Sequence, residues 1–429
     1  MRIKGVLKNE YAMGIIVNML SLMVSILYSS MLARYLGAEI KGETAYISSV
    51  VGIVNIILSF GLHQVYAYYR KTEGEVKDKY MNNIYAIFAV YALAAAVLCV
   101  AFRANIVLCS VIILSVIAAY MRVSGYVYLV ENSIKRNVLM LVVHIFQIGF
   151  VGLLILFTKA SLFWGVINLV FLDGLLSIIY TVKLGVKIDL KAIDIKFIGK
   201  IFGMGVVPMV TILSSSLNYR VDILMMKAFP NVSLAQIGVY SIGVMLAEKV
   251  LLIPDALKNI LLSKLAKGKT AEEVAKVMRI CFPSCFIMFA GIALLGQQFI
   301  DFIYGSQYEN AYGVTVIIMF GVCAMMFHKM VEIFNIVNHR QRFTLMVLIT
   351  STVLNIALNM FLIPKLGITG AAIATVVSDV YCAIVCLTSF SRRTGIKIRH
   401  MIFLKREDIK LVKSLLGKKR TQNPKAGEL

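Results

Sequence analysis

The residues able to do chemistry stand as isolated polar groups inside long apolar runs. Residues 205–229 carry Thr211, Ser215, Asn218 and Asp222 at steps of four, three and four, one helical face. Arg220 lies two residues before Asp222, about 200° around a helix, so the two cannot face one cavity equally. In the next run Ser241, Glu248 and Asp255 recur at steps of seven, with Lys249 beside Glu248. Farther on, His328, Glu332 and Asn335 share a face, and Lys329 is an i, i+3 neighbour of Glu332. Asp173, Asp379 and Arg122 each stand within an apolar run of their own. An ionisable group near a bilayer centre costs about 2.5–3.5 kcal/mol on insertion scales, so each needs a partner or a wet cavity. In one reading the groups pair across helices as structural glue. In the other they line a central cavity bearing both signs. Arg122, Arg220 and Lys329, with Arg34 in the first turn, then offer cations to an anionic head group. A guanidinium fork suits phosphate because it donates two bonds at once. Asp222 and Glu332 are the candidate coupling carboxylates, each on a polar stripe with a cation nearby in sequence. Glu248, Asp173 and Asp379 are further cavity carboxylates, and Asn218, His328, Asn355 and Asn359 are candidate polar lining.

The elements that must position these groups are membrane spans. Of 429 residues, 60% are hydrophobic and 15% charged, with a mean hydropathy of +0.84. Soluble domains run nearer 45–50% apolar and about 25% charged, so an ordinary cytosolic enzyme, a disordered chain and a secreted disulfide scaffold are excluded. Twelve runs reach the length of about 20 residues that a crossing needs: 11–33, 44–69, 81–102, 104–130, 138–158, 161–182, 205–229, 237–262, 277–299, 311–337, 343–363 and 368–391. The first is full length and flows into a second, so no cleavable signal peptide is expected.

Positive charge sets the orientation. With both termini and the even-numbered breaks on one side, that side holds 34 of the 44 Lys and Arg residues and the other holds 6. Both ends are therefore expected in the cytoplasm. The net charge of +22 is then mostly positive-inside bias, not a nucleic-acid footprint. Two cytoplasmic segments look interfacial. Lys405–Leu416 puts Ile409, Val412, Leu415 and Leu416 on one face, suited to an anionic leaflet. Residues 183–204 mix four lysines with apolar residues, and as the longest break they read as a linker between six-span halves. The expected organisation is a lobe at 1–182, the linker, a lobe at 205–391 and a basic tail at 392–429.

An internal repeat supports that division. Lys159 and Asp173 are 14 apart with Gly165 between them; Lys365 and Asp379 are also 14 apart, around Gly370. The pairs are offset by 206, and Arg122 and Lys329 by 207. The first turn (Arg34…Gly42…Tyr46, Ser48) is echoed more loosely by Lys227…Gly238…Tyr240, Ser241. Equivalent members keep the same membrane side, so the repeat is parallel, as in transporters that rock about a midplane site.

Enzyme signals are weak. Gly268-Lys269-Thr270 ends like a phosphate-binding loop, but Ser263 stands where the first glycine is required. Cys281/Cys285 and Cys382/Cys386 share helix faces, yet no His or carboxylate completes a metal set. All seven cysteines lie in apolar spans, so no disulfide framework is implied. Asn231-Val232-Ser233 fits a glycosylation sequon on the outer side. Nothing calls for a cofactor.

Three stretches resemble the polysaccharide (oligosaccharide-lipid) flippase family of the multidrug/oligosaccharidyl-lipid/polysaccharide exporter superfamily. The first is Leu32-Ala-Arg34-Tyr-Leu-Gly37 with Gly42 and Tyr46. The second is Pro208…Asn218-Tyr-Arg220-Val-Asp222, then Ile237-Gly-Val-Tyr240-Ser. The third, and most specific, is Leu354-Asn355…Asn359…Pro364, then Leu366-Gly-Ile-Thr-Gly370-Ala-Ala-Ile-Ala-Thr375. The resemblance implies an all-α polytopic membrane protein with about twelve transmembrane helices in two pseudo-symmetric six-helix lobes around a central cationic cavity. It implies no enzyme. The implied activity moves oligosaccharides on a polyprenyl diphosphate from the cytoplasmic to the outer leaflet of a bacterial or archaeal cell membrane. Its partners would be that lipid-linked oligosaccharide, membrane lipids, H+ or Na+, and the polymerase and glycosyltransferases of cell-surface polysaccharide synthesis, with no nucleic acid. Pro208, Pro254 and Pro283 all fall in the C-terminal half, where kinks would let a lobe bend. Two alternatives stay open. A drug/cation antiporter of the same superfamily should carry a cavity carboxylate in the first span, and Tyr11–Leu32 has none. A membrane polysaccharide polymerase should carry a large outer loop, and the longest here, near Ile300–Asn310, is about a dozen residues.

Overall fold

The computed structural model describes residues 10–266, 270–338, 340–405 and 408. The interfacial segment expected at Lys405–Leu416 and the Gly268-Lys269 dipeptide lie almost wholly outside them.

The described chain is helical from end to end, as runs of this apolar length must be, because a lipid core leaves backbone groups no partner but their own segment. In order the helices are α1 (Glu10–Ser59), α2 (Leu62–Thr72), α3 (Lys77–Ala101), α4 (Ile106–Glu131), α5 (Ser133–Phe157), α6 (Leu162–Leu184), α7 (Ile195–Ala228), α8 (Leu234–Glu248), α9 (Leu252–Ala266), α10 (Ala271–Tyr304), α11 (Ala311–Val337), α12 (Gln341–Thr394) and α13 (Arg399–Ile402). Among the described residues ten helical segments are long and apolar enough to cross a membrane. Two are too long for one crossing. α1 has 50 residues and α12 has 54, about 75–80 Å at 1.5 Å per residue, against a hydrocarbon core near 30 Å. Each breaks at a glycine in left-handed backbone, Gly37 (φ 73°) and Gly367 (φ 57°), a region that other residues enter only under strain. Dividing both at these glycines turns ten helices into twelve crossings. The protein is an all-α, multi-pass membrane protein.

Local chemistry sets the ends. Asn105 caps α4 by accepting from Leu108 N at 3.0 Å, which makes the four-residue turn at 102–105 feasible. Asp194 caps α7, accepting from Phe197 N at 3.1 Å. That backbone bond, with help from nearby Lys79, holds its carboxyl below the ordinary range. The cap starts α7 ten residues before the expected 205, so the linker shrinks to 185–194. Lys196 and Lys200 belong to the first turns of the seventh span, and Phe197 is buried against Tyr69 and Tyr80 rather than lying on a lipid surface.

The eighth crossing also departs from a continuous span. α8 stops at Glu248, a 3-10 turn covers Lys249–Leu251, and α9 resumes at Leu252. Pro254 has no N–H to give Val250 O and its ring crowds that carbonyl. The Cys285 thiol approaches the orphaned oxygen at 4.0 Å.

The chain divides into two compact units. One comprises Met1–Ser241, Phe299–Ala311 and Ile363–Ile368; the other comprises Ile242–Gln298, Tyr312–Leu362 and Thr369–Leu429. The first unit takes in α7 and the turns at 299–311 and 363–368. In that unit a cluster built on Leu62, Tyr66, Tyr69, Tyr80, Tyr180 and Phe197 fills the end facing the positive loops. Outward faces stay apolar, with Val90, Leu93, Leu156 and Phe157 exposed as lipid contact requires. In the second unit α11 is central, 72% of its apolar window being buried against 22% for α10.

The loose sequence echo between the first and fourth outer turns proves to be a contact. A Cβ on Gly42 would lie 1.7 Å from Leu234 O, and one on Gly238 would lie 2.1 Å from Ala38 O. Gly42 and Gly238 are 196 apart, and so are Ala38 and Leu234. Residue i meeting j while j's equivalent meets i's is the reciprocity of a twofold contact. Neighbouring groups repeat it. Tyr35 Oη pairs with Thr158 Oγ1 and donates to Lys159 O at 3.2 Å. Asn231, 196 residues on, donates to Ile363 O at 3.0 Å and Pro364 O at 3.3 Å. Asn231 is thus a structural tie, whatever its sequon.

Candidate functional site

In the first unit two guanidinium groups share one polar region. Arg122 on α4 donates from Nε to Asn55 Oδ1 at 2.9 Å. It lies within electrostatic range of Arg220 and of Asp173 on α6. Arg220 on α7 donates from Nη1 to Ser48 O at 3.3 Å. Its guanidinium is laid against Gly52, where a Cβ would stand 2.7 Å from Cζ. Only glycine leaves that slot open. His63 stands near Arg122 and edge-on to Tyr126 at 5.3 Å. It is buried, and its Nδ1 has no hydrogen-bond partner among the described residues.

Asp222, two residues from Arg220, turns elsewhere. Buried, it accepts from Tyr240 Oη at 2.7 Å. Arg220 meets α1 while Asp222 meets α8, as the angular separation on one helix requires. Asn218 is buried on the same helix. Arg34 does not join this group. It is exposed, and its guanidinium donates to Ile303 O at 2.9 Å and to Phe302 O, capping the carbonyl end of α10, where a cation suits the helix dipole.

The second unit holds its charges as a ladder. Lys329 Nζ meets Asp255 Oδ1 at 2.7 Å, and Lys258 Nζ meets Glu332 Oε2 at 2.7 Å. Each partner is 74 residues from the other, so α9 and α11 run in the same direction with two successive turns in register. The sequence neighbours Lys329 and Glu332 therefore take different partners, and neither is an isolated charge. His328 is buried beside them, with neither ring nitrogen hydrogen-bonded among the described residues.

Glu248 ends α8 next to half-buried Lys249 and interacts with it electrostatically. Asp379 is buried on α12, its Oδ2 3.2 Å from where a Gly321 Cβ would stand. Asn355 and Asn359 meet each other and Ser378. Both are fully buried, Asn359 donating to Asn355 Oδ1 at 2.8 Å and Asn355 to Ser378 Oγ at 3.3 Å, a clasp between the two arms of α12. At the other end, Arg279 forms a two-point pair with buried Asp408 at 2.7 and 3.3 Å and donates to His400 O at 2.8 Å, anchoring the chain after α13.

Ser48, Gly52, Asn55, His63 and Tyr240 join the site through packing and not through any polar cluster in the sequence. One signal was present: Ser48, Gly52, Asn55 and Ser59 step four, three and four, the same spacing as the stripe on α7. Among the described residues no group of three or more His, Cys, Asp or Glu could hold a metal ion.

No protein-family model matches the chain, and no curated protein sequence matches it. Solved structures do. The lipid II flippase MurJ in an inward closed conformation superposes with a TM-score of 0.73 at 14% identity, covering 96% of this chain and 93% of MurJ. A multidrug resistance MATE family transporter of the MOP superfamily in an inward-facing conformation gives 0.66 at 14% identity, covering 89% and 98%. An outward-facing MATE transporter gives 0.60 at 14%, covering 91% and 97%. This chain has the fold of those transporters. At such identity the likeness extends to the backbone alone, so the reading of function rests on the side chains.

Proposed function

We propose that the chain is a flippase for polyprenyl-diphosphate-linked oligosaccharides, carrying them from the cytoplasmic to the outer leaflet by alternating access for cell-surface polysaccharide synthesis. The observation that carries the reading is that Arg122 and Arg220, from two different helices, both reach one stripe of α1, Arg122 at Asn55 and Arg220 at Ser48 and Gly52. Like charges that close repel, and a diphosphate between them relieves the repulsion while accepting bidentate bonds. Asn55 and the Gly52 slot hold the guanidinium groups in place beforehand, which lowers the ordering cost of binding. The shared fold with a lipid II flippase supports a lipid-linked substrate. The two-lobe division, the cytoplasmic termini and the polymerase and glycosyltransferase partners belong to the same proposal. Lys329 and Arg34 drop out of the head-group set, because Asp255 and the α10 carbonyls already engage them.

The second reading, a drug/cation antiporter, is favoured by the MATE likeness and by Asp173 beside Arg122. Reconstituted vesicles separate the two. The flippase reading requires a lipid-linked oligosaccharide to become accessible at the opposite leaflet, and requires Arg220→Ala to stop this at normal protein abundance. Drug efflux driven by an imposed H+ or Na+ gradient, with no lipid translocation, overturns it. If translocation itself responds to the gradient, Asp173→Asn, Asp222→Asn and Glu332→Gln identify the coupling carboxylate, since a titrating group biases the cycle only by differing in affinity between its two states.

A further inference from the structure

Cys99 is the third residue from the end of α3 and Cys109 the fourth of α4, so the two face each other across the short turn at 102–105. Each thiol reaches the other residue's carbonyl, Cys99 Sγ to Cys109 O at 3.9 Å and Cys109 Sγ to Cys99 O at 3.7 Å. Reciprocal contacts of this kind place two side chains directly opposite, the arrangement a disulfide needs. Both residues are half-buried and the turn beyond them is open, with Phe102 48% and Ile106 71% exposed. The five other cysteines lie in the second unit, and four of them are buried. By the charge rule this turn, with Arg103 its only cation, faces outward, where disulfides persist.

We propose that Cys99 and Cys109 are a modification site, a disulfide pair that staples the outer end of the third-to-fourth crossing hairpin. The oxidant is an external disulfide. The Cys109 thiolate, whose sulfur lies 3.4 Å from the turn carbonyl Phe102 O, attacks one of its sulfurs and expels the first thiolate, leaving a mixed disulfide. The Cys99 thiolate then attacks Cys109 Sγ, forming the Sγ–Sγ bond and expelling the second. Both cysteine protons end on the departing thiolates, and both electrons reduce the external disulfide to two thiols. The orientation is part of the flippase reading; the thiol geometry is independent of it.

The test denatures the full chain in excess N-ethylmaleimide and counts adducts by intact mass, as isolated and after incubation with oxidised glutathione. Of the seven cysteines, five should react before reduction and seven after it, with a linked peptide joining residues 99 and 109. Cys99→Ser should give six adducts as isolated; after oxidised glutathione it should give five adducts and one glutathione mass, returning to six on reduction, because the mixed disulfide on Cys109 then has no resolving thiol. Seven unreduced adducts after glutathione disulfide treatment overturn the proposal, as does a count of four in Cys99→Ser, which puts the bond elsewhere. Sidedness is read separately, by an impermeant maleimide on Arg103→Cys in the Cys99→Ser/Cys109→Ser background. Labelling from outside supports an oxidising location. Labelling only from inside overturns the orientation while leaving the adduct count to judge the pair.

Discussion

Replacing Gly52 by alanine tests the site without touching a charge. The new Cβ would stand 2.7 Å from Arg220 Cζ, 2.8 Å from Nη1 and 2.9 Å from Nε, well inside van der Waals contact. The guanidinium is the free end of a flexible side chain, so it moves aside and the backbone does not. Stability falls by about 2 kcal/mol at most. Alanine returns about 1 kcal/mol of helix propensity, and losing the 3.3 Å bond to Ser48 O costs about 1.5–3 kcal/mol at most. Transport should suffer more, because a displaced Arg220 withdraws a charge-assisted bond of similar size from the head group. At 1.36 kcal/mol per decade that is about a 10- to 150-fold fall in rate. The assay pairs quantitative immunoblotting of the membrane fraction with translocation of a fluorescent lipid-linked oligosaccharide in vesicles. Gly149→Ala is the control, since nothing lies within 4 Å of its added Cβ. Parental transport by Gly52→Ala at normal abundance refutes the assignment of Arg220. Loss of the protein instead assigns Arg220 a structural role.

Other outcomes can be measured directly. Glu332→Lys should destabilise the second unit by about 1.5–3 kcal/mol, the worth of a charged hydrogen bond at a partly buried pair; adding Lys258→Glu should restore most of the thermal midpoint, and no rescue by the swap would discredit the ladder. Asp408 is pushed up by desolvation, but bonds from Arg279 and from Lys405 N and the charges of Arg279 and Lys276 outweigh this and hold it low. Its folded value lies below the unfolded value of 3.8, so the anchoring of residues 399–405 is fully present above that pH and is lost as pH falls below it. Hydrogen exchange of that segment at pH 7 and at successively lower pH below 3.8 reads this; Asp408→Asn should lose the protection throughout, and parental protection in Asp408→Asn at pH 7 would contradict the linkage. Reporter fusions at Lys77 and Lys196 should read cytoplasmic and those at Glu39 and Glu309 external, and an external signal at Lys196 would undo the two-lobe topology.

The sequence alone determined the crossings, because a lipid core requires about 20 apolar residues per helix and nothing else in the chain competes with that demand. The break at Gly37 was readable in the Leu-Gly turn and that at Gly367 in the Leu366-Gly367 motif. The early start of α7 was not, since an Asp194 cap outweighs the lysines that made residues 195–204 resemble a loop. The repeat was legible as offsets in charge and glycine, but sequence could not say that Gly42 and Gly238 touch. Partner choice was the least legible. Lys329 is three residues from Glu332 yet pairs with Asp255, and Glu332 pairs with Lys258. Helical spacing tells which residues share a face; the register of α9 against α11 decides what that face meets. The Arg122 and Arg220 pair has the same origin. Each was a lone cation in a separate apolar run, and only the packing of α1, α4 and α7, with a missing side chain at Gly52, brought them within range of each other.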